Sequence, residues 1–392
     1  MREAFISPAI PRSAFLYSPQ FSQYLYGPSH PLKNERLALT FRLIEAYGLL
    51  RIEGAEVQAP RLPEESELLL FHRREYLRAL QRADAGSFFP SAPTWGLGTP
   101  DNPIFPGVYS WSLLITGASL SAAEAVEEGE FDYAFNMGGG LHHAHAARAS
   151  GFCYLNDPAI MIHHLAGRGR RVAYLDLDAH HGDGVQEAFY ETNQVLTISL
   201  HESGETLFPG TGFPREMGEG KGKGYSVNCP LRAGTDDETY LWAFEEIVPP
   251  LISSFAPDIL VTQLGIDTHR ADPLANLSLS LQGFARAVKR VRELAGQGTR
   301  RAWIALGGGG YNVDNVPRAW TLVWAIMNGL ELDPAIPPAF LEWGGPFGFQ
   351  MKSLWDPPAG ESEFPREAVR KYAEKQVGII KELIFPIHGI KG

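Results

Sequence analysis

Five short apolar runs, each ending abruptly at glycine or polar residues, constrain the fold of this 392-residue chain most strongly. Strands that alternate with helices favour a mostly parallel sheet with helices on both faces. Ligands of such sheets bind beyond the carboxyl ends of the strands, so we expect one site at that edge. The candidate strand ends are YAFNMGGGLHH, VAYLDLDAHH, VLTISLHES, ILVTQLGID and AWIALGGGGYN. The predicted helices span 112–129, 158–168, 184–191, 236–255, 280–296 and 316–330.

Composition excludes several classes of protein. With 44% hydrophobic and 20% charged residues, the chain is not mostly disordered. No apolar stretch reaches the roughly 18 residues that span a bilayer, and the opening MREAFISPAI lacks the apolar centre of a signal peptide. We therefore expect a cytoplasmic protein that does not act at a membrane. The net charge of −11, with no basic run, disfavours nucleic acid as a partner.

The chain is expected to form a single domain over residues 1–392. We find no linker between residues 20 and 335, which bound the predicted core. The segment 336–366 is rich in proline, glycine and aromatic residues, and EAVRKYAEKQVGIIKELI then predicts a terminal helix packed on the body. No pattern indicates the oligomeric state.

The segment Tyr174–Gly184, YLDLDAHHGDG, indicates metal chemistry at a strand end. Strand alternation would place Asp176, Asp178 and His180 on one face. Burying two carboxylates with an imidazole is costly unless a cation or a tight hydrogen-bond network compensates them. The two cysteines of the chain lack the spacing of a thiolate site, so any metal must use Asp, Glu or His.

A catalytic zinc ion usually has three protein ligands and one open position. Asp178 and His180 supply two candidates. The most plausible third is Asp267, which ends the run ILVTQLGID, although a helix cap or loop role would also explain that residue taken alone. Two carboxylates and one imidazole suit zinc, Fe(II) and Mn(II), and the sequence does not choose among them.

Two further motifs carry candidate catalytic groups. The run GGGLHHAHAARASGFCYLND places His142 and His143 side by side, and Asp176 and Asp183 are available to fix the tautomer of a general base. The run GGGGYN lacks the Lys and Ser/Thr of a phosphate loop. We therefore predict that Tyr311 donates a hydrogen bond to a developing oxyanion, with a packing role as the alternative.

These motifs, with ISLHESGETLFPGTG, GEGKGKGYSVNCPL and LGIDTHRADPL, resemble the zinc-dependent histone deacetylase family, most densely from about residue 100 to 320. The DGV after HHG resembles the class I type and the bacterial acetoin-utilisation deacetylases. The resemblance implies an arginase-like α/β fold with a central, mostly parallel sheet flanked by helices. It also implies a hydrolase that removes acetyl, or other acyl, groups from lysine side chains of proteins or peptides by metal-activated water.

By the same resemblance, zinc, with Fe(II) as an alternative, would be bound by Asp178, His180 and Asp267. His143, paired with Asp183, would be the general base and then acid, while His142, paired with Asp176, would support charge stabilisation. The substrate would meet Asp101 at the rim and Gly151, Phe152 and Phe208 in a narrow tunnel. Potassium ions would be bound by Asp176, Asp178, His180, Ser199 and Leu200, and, through backbone oxygens, around Phe189, Thr192, Val195 and Tyr225.

Three alternatives remain at this point. An arginase-type ureohydrolase needs a carboxylate for its second metal at the position of Gly182, so a binuclear site is disfavoured. An acetylpolyamine amidohydrolase is less favoured because Leu274 stands where a polyamine-selective relative carries Glu. A non-catalytic acyl-lysine reader is improbable, since every presumed ligand and catalytic group is retained. The preference among acetyl, lactyl and longer acyl groups stays open.

Overall fold

The computed structural model describes residues 10–24, 26–296, 302–358 and 364–391. Most of MREAFISPAI (residues 1–9) and part of the proline- and glycine-rich segment (359–363) therefore lie outside the described residues. Eight strands form one sheet in the described part, with every ladder parallel and the order β2-β1-β3-β8-β7-β4-β5-β6. They are β1 (Ser13–Leu16), β2 (Ala55–Gln58), β3 (Tyr133–Asn136), β4 (Val172–Asp176), β5 (Val195–Glu202), β6 (Ser226–Leu231), β7 (Ile259–Gln263) and β8 (Trp303–Leu306).

The central strands are buried along their whole length, as expected for a parallel sheet covered on both faces. The helices that cover it are α1 (Glu35–Ala46), α2 (Glu65–Leu68), α3 (Arg74–Ala83), α4 (Val108–Glu127), α5 (Asp157–Gly167), α6 (Asp183–Phe189), α7 (Asp237–Phe255), α8 (Leu281–Ala295), α9 (Asn315–Met327), α10 (Pro338–Gly344) and α11 (Arg366–Leu383). The side chains of Asn156, Asp236 and Ser280 cap α5, α7 and α8 by accepting backbone N–H bonds.

The expected α/β architecture is confirmed. The six predicted helices correspond to α4–α9, although the last one ends at Met327 rather than at residue 330. The five predicted strands correspond to β3, β4, β5, β7 and β8. The remaining strands were not predicted, and β1 begins at Ser13, ahead of the predicted core. The structure thus forms one α/β domain around a single parallel sheet.

The C-terminal helix α11 packs against β6 and α7 and so covers that edge of the sheet. Its buried side chains are apolar, among them Val369, Ala373, Val377 and Ile380. Its Tyr372 hydroxyl also donates to Ser203 Oγ at 3.1 Å, just beyond β5. Within the described ranges, no helix is both long enough and apolar enough to cross a membrane.

Candidate active site

Three predicted metal ligands lie together at the carboxyl edge of the sheet. Asp178, His180 and Asp267 are buried. One potential ligand atom from each residue lies within 4.8 Å of those from the other two. His180 Nδ1 is 2.9 Å from Asp267 Oδ2 and 3.2 Å from Asp178 Oδ1. Burial and the nearby Asp178 carboxylate raise the pKa of Asp267. A divalent cation would neutralise both buried carboxylates, so this set of donors fits a metal ion with oxygen and nitrogen ligands.

These ligands sit in loops rather than in strands. We predicted that Asp176, Asp178 and His180 would lie on one face of a strand. This prediction is wrong for Asp178 and His180, because β4 ends at Asp176. The chain then turns, with the Asp178 N–H donating to Asp176 Oδ1 at 3.2 Å and the His180 N–H to Asp178 Oδ1 at 2.9 Å. The strand β7 ends at Gln263, and Asp267 likewise lies in the loop that follows, four residues further on. The two loops meet because β4 and β7 are neighbours in the sheet.

Two groups that the sequence analysis missed hold Asp178. Its Oδ2 accepts from Gln263 Nε2 at 2.7 Å and from the Gly309 N–H at 2.8 Å. A Cβ at Gly309 would lie 2.0 Å from Asp267 Oδ2, so only glycine lets the GGGG backbone approach this closely. Gln263 could have been found as the one amide side chain that closes the buried run ILVTQ.

The two adjacent histidines each contact an aspartate. His142 Nδ1 is 2.8 Å from Asp176 Oδ2, and His143 Nδ1 is 2.8 Å from Asp183 Oδ1. The two Nε2 atoms are 3.0 Å apart. Since both Nδ1 atoms face carboxylates and act as donors, one Nε2 must donate to the other, which makes one ring an imidazolium and the other neutral.

The surroundings decide which ring is charged. Burial alone would lower the pKa of His142, but Asp176 and then Asp178 outweigh it and raise that pKa to about 9. Burial and the positive His142 lower the pKa of His143 to about 4. His143 is therefore the neutral ring at physiological pH, and its Nε2 carries the lone pair.

The glycine-rich segment that precedes the histidines is held by Asp157, another residue that the sequence analysis did not single out. Its carboxylate accepts from the Leu141 N–H at 2.9 Å, the Gly140 N–H at 3.1 Å and the Ser119 hydroxyl at 2.5 Å. Its place as the last residue of the motif GFCYLND is the sequence feature that could have pointed to it. Asp157 thereby fixes the backbone from which His142 projects.

A cavity of about 220 Å³ opens onto these groups. The predicted tunnel residues all line it, together with Leu207, which was not predicted. The Phe208 ring lies 5.0 Å from the His143 ring, and Phe208 is 44% exposed at the mouth. The lining residues are Asp101, His143, Gly151, Phe152, His180, Leu207, Phe208, Leu274 and Tyr311.

Tyr311 lies on one wall of this cavity. Its ring meets the Phe152 ring edge-on at 5.7 Å, and its backbone N–H donates to Asp272 Oδ2 at 2.8 Å. Burial raises the pKa of Tyr311 well above 10, so the phenol keeps its proton and can act as a donor. The supporting Asp272 was missed by the sequence analysis.

The first set of predicted potassium ligands lies close to the carboxyl edge of the sheet, whereas the second set lies toward the amino ends of β5 and β6. Asp176 pairs in register with Ser199 on β5, and Leu200 follows it. The second set, Phe189, Thr192, Val195 and Tyr225, lies around the loop from α6 to β5 and the start of β6, and it would use backbone oxygens. No observation tests ion binding at either set, so both remain predictions. His181, the second histidine of YLDLDAHHGDG, contacts Thr211 Oγ1 through Nδ1 at 2.8 Å.

The model of the histone deacetylase domain matches residues 30–327. This chain belongs to the histone deacetylase family. The deacetylase is 40% identical to the acetoin utilization protein AcuC of Bacillus subtilis over 380 residues, which covers 96% of this chain and 97% of that protein. It is 37% identical to human histone deacetylase 1 over 374 residues, covering 95% of this chain and 74% of the human protein.

Solved structures agree with this assignment. A histone deacetylase homologue from Aquifex aeolicus superposes with a TM-score of 0.83 at 36% identity, over 93% of the deacetylase and 100% of that chain. A homologue complexed with SAHA gives the same TM-score and identity over 94% of the deacetylase and 100% of that chain. The predicted resemblance to the class I type and to the bacterial acetoin-utilisation branch is confirmed, and the deacetylase is a hydrolase of acetyl-lysine amides.

Proposed function

We propose that this deacetylase removes acetyl groups from lysine side chains of proteins or peptides by metal-dependent hydrolysis. The observation that carries the proposal is the buried set of Asp178, His180 and Asp267 beside a neutral His143, at the end of a cavity open to solvent. A protein that only binds acyl-lysine would need no buried carboxylate pair and no imidazole held in one tautomer. The buried carboxylate pair and the fixed imidazole thus favour a catalytic site over a site that only recognises acyl-lysine.

Asp178, His180 and Asp267 would hold one divalent cation, with zinc proposed and Fe(II) as the alternative. When bound, such an ion acts as a Lewis acid on the amide carbonyl and lowers the pKa of water. A second metal of the arginase type is disfavoured by Gly182. A Cβ there would lie 2.5 Å from Asp176 Oδ2, which leaves no room for a further carboxylate.

Side chains of the site would transfer the protons and stabilise the charge that develops. His143 Nε2 exchanges its contact with the His142 N–H for the attacking water and accepts a proton from it, because Asp183 keeps the other proton on Nδ1. The oxygen of that water forms the new C–O bond at the carbonyl carbon, and His143 gives the proton to the lysine amine as the amide C–N bond breaks. His142 stays an imidazolium beside Asp176 and stabilises negative charge. The Tyr311 phenol donates a hydrogen bond to the oxygen of the scissile carbonyl as that oxygen becomes anionic.

The cavity favours an acyl-lysine with a small acyl group. Phe152 and Phe208 line the cavity and would pack against an extended aliphatic stem, and Asp101, which also lines it, would accept from the substrate backbone. Leu274 offers no carboxylate for the second ammonium of an acetylpolyamine. A further cavity, on the inner side of His143 and Tyr311, has a volume of only about 20 Å³, roughly the space of one water molecule. We therefore propose acetyl as the preferred group over longer acyl chains.

We further propose two potassium sites and a cellular location. Potassium would be bound at Asp176, Asp178, His180, Ser199 and Leu200, next to the catalytic metal. The second potassium site would use backbone oxygens around Phe189, Thr192, Val195 and Tyr225. The protein would act in the cytoplasm.

A substrate panel with measured metal content tests the proposal. Purified protein would be assayed on acetyl-, lactyl- and butyryl-lysine peptides and on acetylated polyamines, with zinc and iron quantified in the same samples. We expect the highest kcat/KM on acetyl-lysine peptides and a rate proportional to bound metal. Faster turnover of acetylated polyamines, or equal rates on acetyl and butyryl peptides, would overturn the proposed specificity. Full activity in samples shown to be free of metal would overturn the mechanism.

A further inference from the structure

A third imidazole lies behind the pair formed by His143 and Asp183. His145 Nε2 is 3.3 Å from Asp183 Oδ2, and His145 Nδ1 is hydrogen-bonded to the Glu187 carboxylate. Asp183 and Glu187 are four residues apart on α6 and so face the same side of that helix. The contacts therefore run in one line from His143 through Asp183 and His145 to Glu187.

This line leads from the buried site to the surface. The side chain of His143 is 7% exposed, that of Asp183 12%, that of His145 21% and that of Glu187 46%. His145 is not among the residues that line the cavity, so it does not meet the substrate. The catalytic group that it contacts is Asp183.

The two oxygens of Asp183 have different partners. Oδ1 faces His143 Nδ1 at 2.8 Å and accepts the Gly184 N–H at 3.0 Å, whereas Oδ2 faces His145. A carboxylate that is held at both oxygens cannot turn about its Cβ–Cγ bond without breaking a charge-assisted contact. The contact with His145 thereby keeps Oδ1 directed at His143.

The loop that carries His145 is anchored by its own backbone. The His145 N–H donates to the Arg148 carbonyl at 2.9 Å, and the Arg73 N–H donates to the Ala146 carbonyl at 2.8 Å. The ionisable groups that face the His145 ring are Asp183 and Glu187 of α6, with His143 beyond Asp183, while His72 approaches the backbone of the same loop. The contacts with Asp183 and then Glu187 raise the pKa of His145 to about 9, against the effect of burial, so an imidazolium faces Asp183 at neutral pH.

We propose that His145, held by Glu187, is a positioning residue for hydrolysis that fixes the Asp183 carboxylate in the orientation His143 requires. This inference rests on the proposed function, since it needs His143 to be the general base. With Asp183 fixed, the Nδ1 proton of His143 stays in place, so Nε2 stays the unprotonated nitrogen of the ring, the one that takes the proton of water. The competing explanation is that His145 merely ties its loop to α6.

A double-mutant cycle separates the two explanations. His145→Ala should lower kcat roughly tenfold with KM changed by no more than about twofold, because the substrate does not touch His145. In an Asp183→Asn background, already slow, the same change should cost nothing further. His145→Gln, which retains a donor near Asp183, should recover part of the loss. Glu187 is more exposed than His145, so Glu187→Gln should lower kcat by a smaller factor than His145→Ala does. This loss should appear only when Asp183 is present.

The controls keep this inference separate from the proposed function. His164→Ala removes another imidazole near a carboxylate, since His164 Nδ1 on α5 lies 3.8 Å from Glu67 Oε1 on α2, and it should leave kcat unchanged. His143→Ala should abolish turnover; if it does not, the proposed function itself fails. If His143→Ala is inactive while His145→Ala and His145→Gln turn over at the wild-type rate, the positioning role is overturned and the proposed function stands. Equal fold-losses from His145→Ala with and without Asp183 would also overturn it, because a structural tie acts independently of that carboxylate.

Discussion

Replacing Tyr311 with phenylalanine removes one hydroxyl from the wall of the cavity and leaves the ring in place. The substituted ring would keep the edge-on contact that Tyr311 makes with Phe152 at 5.7 Å, and the backbone bond to Asp272 does not involve the side chain. No hydrogen bond of the Tyr311 hydroxyl is found within the described ranges, so the free energy of unfolding should change by less than about 0.5 kcal/mol. Substrate binding should also persist, because the stem packs on Phe152 and Phe208 rather than on the hydroxyl.

The chemical step should respond very differently. Tyr311 lines a largely apolar cavity, and burial raises the pKa of Tyr311 well above 10, so the hydrogen bond that it donates is poorly screened by water. Removing one such donor typically lowers kcat by roughly 10²–10³-fold, or about 3–4 kcal/mol of activation free energy. Steady-state kinetics on an acetyl-lysine peptide would measure the loss. Tyr47→Phe is the matched control, since that hydroxyl donates to the Ala335 carbonyl far from the cavity. A kcat for Tyr311→Phe within about threefold of wild type would refute the oxyanion role.

Three other changes probe the mouth of the cavity, the C-terminal segment and the pH dependence of stability. Leu274→Glu should raise kcat/KM for acetylated polyamines relative to acetyl-lysine peptides, because it adds a carboxylate at the mouth; an unchanged ratio would show that Leu274 does not set this preference. Asp356→Ala should cost about 3–5 kcal/mol in guanidinium unfolding, since it leaves Arg318 and His269 buried without their shared carboxylate; a loss under about 1 kcal/mol would contradict that account. His145 has a folded-state pKa of about 9 against 6.5 in an unfolded chain, so its stabilising effect is complete below pH 6.5 and disappears as the pH rises through 9. The stability difference between wild type and His145→Gln should therefore shrink over that interval; a constant difference would argue against a charged His145.

The sheet was predictable where strands are continuous apolar runs. VAYLD, ILVTQ and WIAL are buried on both faces, so their composition alone indicates parallel strands. The missed β2 reads AEVQ and is partly exposed at the edge of the sheet, so no apolar run marks it. The missed β1 is equally buried and as short as WIAL, but no glycine run or acidic residue closes SAFL to mark a strand end. Pairing partners distant in sequence, such as β3 with β8, follow from packing of the whole chain rather than from local preference.

The site was predictable in its residue types, and less so in its supporting contacts. Aspartates and histidines at strand ends stand out because burying them is costly without compensation. The sequence analysis missed three supporting residues. Gln263 donates a hydrogen bond to Asp178, while Asp272 and Asp157 accept hydrogen bonds from backbone N–H groups. Many polar residues make such bonds in any protein, so the sequence does not mark these three. His145 was missed for another reason: two residues after His143 in a loop, it faces Asp183 only because α6 brings that carboxylate back to it.

Metal titration of the wild type and of an Asp267→Ala variant tests the central claim most directly. Metal would be removed with a chelator, its absence verified by elemental analysis, and zinc or Fe(II) added back while hydrolysis of an acetyl-lysine peptide is followed. The arrangement of Asp178, His180 and Asp267 predicts an inactive metal-free enzyme, full recovery at one equivalent, and no recovery in the variant at that ratio. Turnover by the verified metal-free enzyme, or wild-type turnover with one bound metal in Asp267→Ala, would contradict it.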